Sequence, residues 1–211
     1  MTPRSWQEAR RYVLTTSVAG AVLLLLGRRS GWVVLGFAGL FGSFFRDPER
    51  RLTPDPAVVY AAADGVVTSI EEDVSDAWLP NGAGIRISTF LGLHNVHVTR
   101  SPVAGKVTRT ESVPGGFAPA LLPRSGNNTR RRLAIDGAAG RVVVVQVAGL
   151  LARKISCWVE QGESVAAGQR VGMIHLGSRA DVLLPPHCAD ILVSRGERVR
   201  AGRTELARYR A

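Results

Sequence analysis

The chain has 211 residues, 45% of them hydrophobic, with 23 Gly and 11 Pro; this allows one domain with a sizeable core plus an appendage, and favours a turn-rich β protein over a helical bundle. A surplus of 27 Lys+Arg over 17 Asp+Glu, net +10, calls for a polyanionic partner, either nucleic acid or an acidic membrane surface. Cys157 and Cys188, with no Cys-x-x-Cys or His/Cys metal spacing, exclude a disulfide framework and a zinc knuckle, and make a reducing compartment the default.

In chain order, a basic start to Arg11 precedes an apolar run over Tyr12–Leu26, then Arg28 and Arg29, then a second run over Trp32–Phe45. Each run is shorter than the roughly 20 residues that cross a bilayer, and arginines flank both. Residues 1–46 therefore read as a shallow helical hairpin associated with one leaflet, its arginines at the headgroups. A cleaved signal peptide lacks its small-x-small site after Leu26, and a buried core helix would give Leu23–Leu26 no polar face. The apolar start also decides the charge question for anionic lipid, since no nucleic-acid motif or aromatic-interleaved basic patch is present.

From residue 47 to 211 the pattern is β-rich. Strands are predicted at Val58–Ala62, Val66–Ile70, Gly84–Phe90, Val96–Val98, Lys106–Thr110, Arg141–Val147 and Val182–Leu184, with Leu122–Arg132 read as a polar, basic loop. The segment Val159-x-x-Gly162-x-x-Val165-x-x-Gly168 recurs 34 residues later as Val193-x-x-Gly196-x-x-Val199-x-x-Gly202. It resembles the turns of lipoyl- and biotinyl-type domains. The expected fold is mainly β (β-rich α+β): a duplicated barrel-sandwich-hybrid-like domain behind the N-terminal hairpin.

Gly177-Ser178, flanked by apolar runs, carries the minimum equipment for an N→O acyl shift: an unshielded carbonyl and a hydroxyl one residue on. A plain turn uses the same dipeptide. Ala63-Asp64-Gly65 reads either as an Asp-Gly turn or as a buried carboxylate that orients a histidine or handles protons. In His94-Asn95-Val96-His97, an extended chain puts the two histidines on opposite faces, and His97, between Val96 and Val98, is the inward one. His175 is expected to face outwards beside Ile174, and His187, in a Pro-Pro turn, has no role.

Several ordered segments carry a resemblance. They are Phe44-Phe45-Arg46-Asp47-Pro48-Glu49-Arg50, Ala62-Ala63-Asp64-Gly65, and Phe90-Leu91 followed by Asn95-Val96-His97-Val98-Thr99-Arg100-Ser101-Pro102-Val103-Ala104-Gly105. Gly116-Phe117, Val147-Ala148-Gly149-Leu150-Leu151-Ala152-Arg153 and Gly177-Ser178-Arg179-Ala180-Asp181 follow. Together they closely resemble the short, bacterial-type phosphatidylserine decarboxylase proenzymes over about the whole chain. The resemblance implies self-cleavage between Gly177 and Ser178 into a β chain (1–177) and an α chain (178–211) that stay together as a heterodimer. Ser178 becomes a covalent pyruvoyl cofactor, so no other cofactor and no metal is expected. A Schiff base with phosphatidylserine in an anionic membrane would lose CO₂ and release phosphatidylethanolamine. His97 would reprotonate the product carbon and Asp64 would support Ser178 during self-cleavage, while Asn128 and Arg130 are weaker substrate contacts. The expected location is the cytoplasmic side of the cell membrane, peripheral or monotopic. Two departures stand out: Asn95 replaces a usual Asp, and Arg100 falls where longer members place a second histidine.

Two other classes compete. A zinc peptidase of duplicated-hybrid fold would need three converging ligands, and the four histidines are scattered with no His-x-His. A non-catalytic lipoyl-like scaffold would need a modifiable lysine at a hairpin tip, and the two lysines, Lys106 and Lys154, do not sit in one.

Overall fold

The computed structural model describes residues 2–120, 123–150, 154–175, 177–186 and 189–210. Leu176, Arg153, His187 and Cys188 lie outside them. The chain divides into two compact units, Met1–Glu49 and Arg50–Ala211.

The first unit is a helical hairpin. Helix α1 (Pro3–Leu25) starts earlier than the apolar run, because Thr2 caps it, its Oγ1 accepting from the Ser5 amide, with Pro3 preset for the first turn. Gly27, at φ +72°, ends the helix, and α2 (Gly31–Phe44) returns. The helices pack closely where Gly20 meets Gly31; a Cβ on Gly31 would lie 2.6 Å from the Gly20 carbonyl oxygen. Nearer the open end, Tyr12 stacks on Phe45 with ring centroids 5.6 Å apart. Leu14, Val18, Val22, Leu25, Trp32, Val33, Phe37 and Leu40 are left exposed. No helix among the described residues is long and apolar enough to cross a membrane.

The second unit is built from strands β1 (Val58–Tyr60), β2 (Gly65–Ser75), β3 (Ala83–Leu91), β4 (Val98–Arg100), β5 (Gly105–Val113), β6 (Arg130–Gly137), β7 (Gly140–Val147), β8 (Ile155–Cys157), β9 (Ser164–Val165), β10 (Arg170–Ile174), β11 (Ser178–Leu184), β12 (Ala189–Ile191), β13 (Arg198–Val199) and β14 (Glu205–Tyr209). An antiparallel eight-stranded sheet runs β13-β2-β3-β11-β7-β6-β5-β9, beside the three-stranded sheets β1-β14-β12 and β4-β10-β8. Ile85, Ile87, Val107, Leu133, Ile135, Val142, Val144, Val182 and Leu184 form the core with Val59, Val171 and Leu206 from the small sheets. The other sheet face is covered locally: Trp78 and Leu79 lie over Ala134, Val143, Val145, Val147 and Leu183. That double burial explains why β7 is a continuous valine run rather than an alternation.

The 34-residue echo is a structural repeat. Gly162 donates to the Val107 carbonyl and Gly196 to that of Val67, while Val107 and Val67 donate back to Glu163 and Glu197. All four glycines of the motif have φ between +63° and +93°, so each turn needs a residue without Cβ strain. The large sheet reads the same from both ends about its centre: β13, β2, β3 and β11 answer to β9, β5, β6 and β7.

Two strand expectations need correction. The basic stretch read as loop to Arg132 enters β6 at Arg130; Arg131 donates to the Ser112 and Thr110 hydroxyls and Arg132 lies 4.3 Å over the Trp78 ring, so long cationic stems serve as strand residues. Val96 and His97 precede β4, which begins only at Val98.

Candidate active site

Gly177 and Ser178 sit where β11 begins, with Ser178 in register with Leu91 of β3 and Arg179 with Val147 of β7. Gly177 has φ +69°, and this left-handed turn aims the strand into the sheet centre. Ser178 is fully buried, and its Oγ has no hydrogen-bond partner among the described residues. A buried hydroxyl left unsatisfied costs about 1–3 kcal/mol.

His97 reaches this bond from the turn before β4. It is fully buried, and its Nε2 accepts the Gly177 N–H at 3.3 Å. Its Nδ1 lies 3.0 Å from the Asn95 carbonyl oxygen, which can only accept. The two contacts fix one tautomer: Nδ1 carries the proton and Nε2 presents a basic lone pair to the Gly177 backbone. The Asn95 side chain closes the same turn, its Oδ1 accepting from the Gly92 amide at 2.9 Å. An aspartate would make that contact equally well, so this departure leaves the turn intact. His94 is exposed, but the segment is a turn rather than a strand, so the alternation assumed for the two histidines does not apply.

Asp64 stands in the turn between β1 and β2. Ala63, next to it, packs with Leu91, Ile174 and Ala180, which places this turn beside β3, β10 and β11, the last of which begins at Ser178. The carboxylate is buried and forked onto Arg50, at 2.6 and 2.7 Å, and its Oδ1 also accepts from the Ala201 amide at 2.8 Å. Arg50 completes the ring by donating to the Ala201 carbonyl. Arg100 is buried and its guanidinium donates to the Gly168 carbonyl at 2.9 Å.

The wall opposite His97 comes from the end of β7. A Cβ on Gly149 would lie 2.0 Å from the Gly177 carbonyl oxygen. Asn128, 1% exposed, donates from Nδ2 to the carbonyls of Ala118 and Ala148 and accepts the Ala118 amide. Its amide thus braces the main chain around the site. Arg130 donates to the Gly126 carbonyl and stays part-exposed on the rung it shares with Val147 and Arg179. Arg179 in turn holds the Ser125 hydroxyl at 2.9 Å and pairs with Asp181, whose carboxyl is pushed up by complete burial despite that guanidinium.

The chain matches the phosphatidylserine decarboxylase family over residues 37–207. It is 39% identical over 204 residues to the phosphatidylserine decarboxylase proenzyme of Ruegeria pomeroyi, which covers 95% of this chain and 93% of that one. It is 42% identical over 203 residues to the proenzyme of the same name from Gluconobacter oxydans, covering 90% of each. With that of Mycolicibacterium vanbaalenii it shares 43% over 196 residues, 90% of this chain and 84% of the other. The chain belongs to the phosphatidylserine decarboxylase family.

In this family member the structure brings His97 to Gly177, the residue before Ser178, while four features around them went unread. Arg50 lay inside a quoted motif, yet no local signal tied it to Asp64. Gly149 and the brace by Asn128 depend on segments far apart in the chain. Gln146, fully buried on β7, bonds Thr99 Oγ1 beside the His97 turn, and its own Oε1 has no partner among the described residues. His175 is buried rather than outward, its Nε2 3.3 Å from Ser156 Oγ, because β10 ends at Ile174 and strand alternation stops there. Among the described residues no three His, Cys, Asp or Glu side chains converge as metal ligands.

Proposed function

We propose that this chain is a proenzyme that cuts itself between Gly177 and Ser178 and then decarboxylates phosphatidylserine to phosphatidylethanolamine at the cytoplasmic face of the cell membrane. One observation carries the reading: a basic imidazole nitrogen and a buried, unpartnered serine hydroxyl flank the same glycine.

Ser178 Oγ attacks the Gly177 carbonyl carbon, its proton passing to His97 Nε2. The C–N bond breaks and the nitrogen takes that proton back, which leaves an ester. Elimination frees the Gly177 carboxylate, and hydrolysis of the residual dehydroalanine releases ammonia and leaves a pyruvoyl group at the head of β11. The buried start of β11, already shaped around Ser178, fits that group without a further ligand. Once formed, it supplies the electron-withdrawing carbonyl that takes up the pair released with CO₂.

The chain's own residues supply the rest. His97 Nε2 returns a proton to the substrate carbon. Asp64, fixed by Arg50 and Ala201, supports Ser178 during self-cleavage. Arg130, on the rung next to Arg179, meets the lipid phosphate, and Asn128 shapes the wall under it. The exposed apolar face of α1 and α2, with Arg10, Arg11, Arg28 and Arg29, docks on anionic lipid. The repeated halves fit a duplicated barrel-sandwich hybrid, and the two products stay paired as a heterodimer.

Ser178→Ala tests the reading. The purified variant should remain a single chain and show no decarboxylation of phosphatidylserine vesicles. A variant still cut at the same bond removes the serine mechanism.

A further inference from the structure

We infer that Gly149, held in place by Asn128, is a positioning residue that sets the scissile carbonyl for self-cleavage. The inference rests on the reading of Gly177–Ser178 as the self-cleaved bond, and it adds a second wall to that bond, opposite His97.

The geometry starts with an absence of side chain. Built on Gly149, a Cβ would lie 2.0 Å from the Gly177 oxygen and 3.1 Å from its carbonyl carbon. Real Cβ atoms do not approach an oxygen that closely, so any side chain here displaces the carbonyl by about an ångström. In the native chain the hydrogen in that position points at the carbonyl oxygen, a weak C–H···O contact that fixes where this oxygen sits. Ala120 closes the far side, its Cβ 3.6 Å from the same point.

Gly149 lies beyond the end of β7, where a free backbone would wander. Two bonds prevent this. The Ala148 amide donates to the Thr129 carbonyl at 2.9 Å, and the Ala148 carbonyl accepts from Asn128 Nδ2 at 2.7 Å. The second Nδ2 hydrogen goes to the Ala118 carbonyl, also at 2.7 Å, and Oδ1 takes the Ala118 amide at 2.8 Å. Ser125 adds a bond to the Ala120 carbonyl, and Arg179, the second residue after the cleaved bond, donates to Ser125. The brace therefore closes on itself, from Arg179 of β11 through Ser125 and Asn128 to Ala148, Gly149 and back to the Gly177 carbonyl.

Attack by Ser178 Oγ requires that carbonyl to face the hydroxyl while its oxygen swings towards the tetrahedral position. Gly149 confines the oxygen of that carbonyl on one side, while His97 Nε2 holds the preceding peptide through the Gly177 amide. Misplacement of a reacting group by about 1 Å costs on the order of 10²-fold in rate.

The test is pulse–chase of the full-length chain, synthesised in vitro with detergent, in which conversion to the two fragments is followed on a denaturing gel. Folding is checked by protease resistance and by thermal melting in the Ser178→Ala background. Gly149→Ala should fold and be cleaved about 10²-fold more slowly. A folded Gly149→Ala cleaved at the wild-type rate overturns the inference. If Gly149→Ala does not fold, Asn128→Asp decides. It keeps the size and the acceptor but loses both donors, so a folded variant cleaved at least about tenfold more slowly supports the brace, and the wild-type rate overturns it. Ser178→Ala runs alongside: if that chain is itself cut at the same bond, the serine reading fails, whereas a wild-type chain that cuts normally beside an unimpaired Gly149→Ala sinks the positioning role alone.

Discussion

Asp64 and Arg50 show how much one pair can carry. Both are nearly buried, at 12% and 8% side-chain exposure, and the Ala201 backbone satisfies each of them again. Removing one partner strands a buried charge, at a cost of about 3–5 kcal/mol. Arg50→Met in the Ser178→Ala precursor should lower unfolding stability by about that amount in urea titration; a loss below about 1 kcal/mol would show that Asp64 does not need its partner. At this scale the sequence showed what residue type reveals. The burial of His97 between two valines was legible from residue type, whereas Gly177-Ser178 alone also suits a plain turn. Arg50, Gly149 and Asn128 were not legible, because their roles arise only where Ala201, Gly177 and Ala148 come near them across long stretches of chain.

The elements were read through hydrophobic period, which succeeded where one face is buried and faltered elsewhere. β3 alternates Ile85 and Ile87 with Arg86 and Ser88, and was legible. β6 begins with three arginines, of which Arg132 lies over Trp78 and Arg131 bonds the Thr110 and Ser112 hydroxyls, so polarity concealed it. The short strands β8, β9, β12 and β13 hold two or three residues each, too few for any period to show. The α1–α2 hairpin was visible as two apolar runs, and it leaves Leu25, Leu26, Trp32 and Val33 exposed at its turn. Deleting residues 1–46 should release the protein from phosphatidylglycerol-containing vesicles in a flotation assay. A truncated protein that still floats with the vesicles would place the membrane contact in the β unit.

Across the whole molecule, the duplication sharpens the site. The Tyr209 amide bonds the Ala57 carbonyl as the Ile174 amide bonds that of His97, and Gly65 and Gly105 open equivalent strands. By that correspondence Ala57 answers to His97, Ala104 to Asp64 and Gly140 to Ser178. The second half thus repeats the backbone without the chemistry, around an apolar cavity of about 210 Å³ lined by Val103, Ala104, Gly137, Gly140 and Tyr209. The same architecture explains how a cut chain would stay whole. β11 lies between β3 and β7, β13 pairs with β2 and β14 with β1, so the segment after Gly177 is woven into strands from the first part of the chain. The central claim is the cut itself. Its most direct test is the intact mass of the purified protein under denaturing conditions. The account predicts two chains divided between Gly177 and Ser178, the smaller lacking a free amine and lighter than a chain that begins with serine. A single uncut chain of full mass would contradict it.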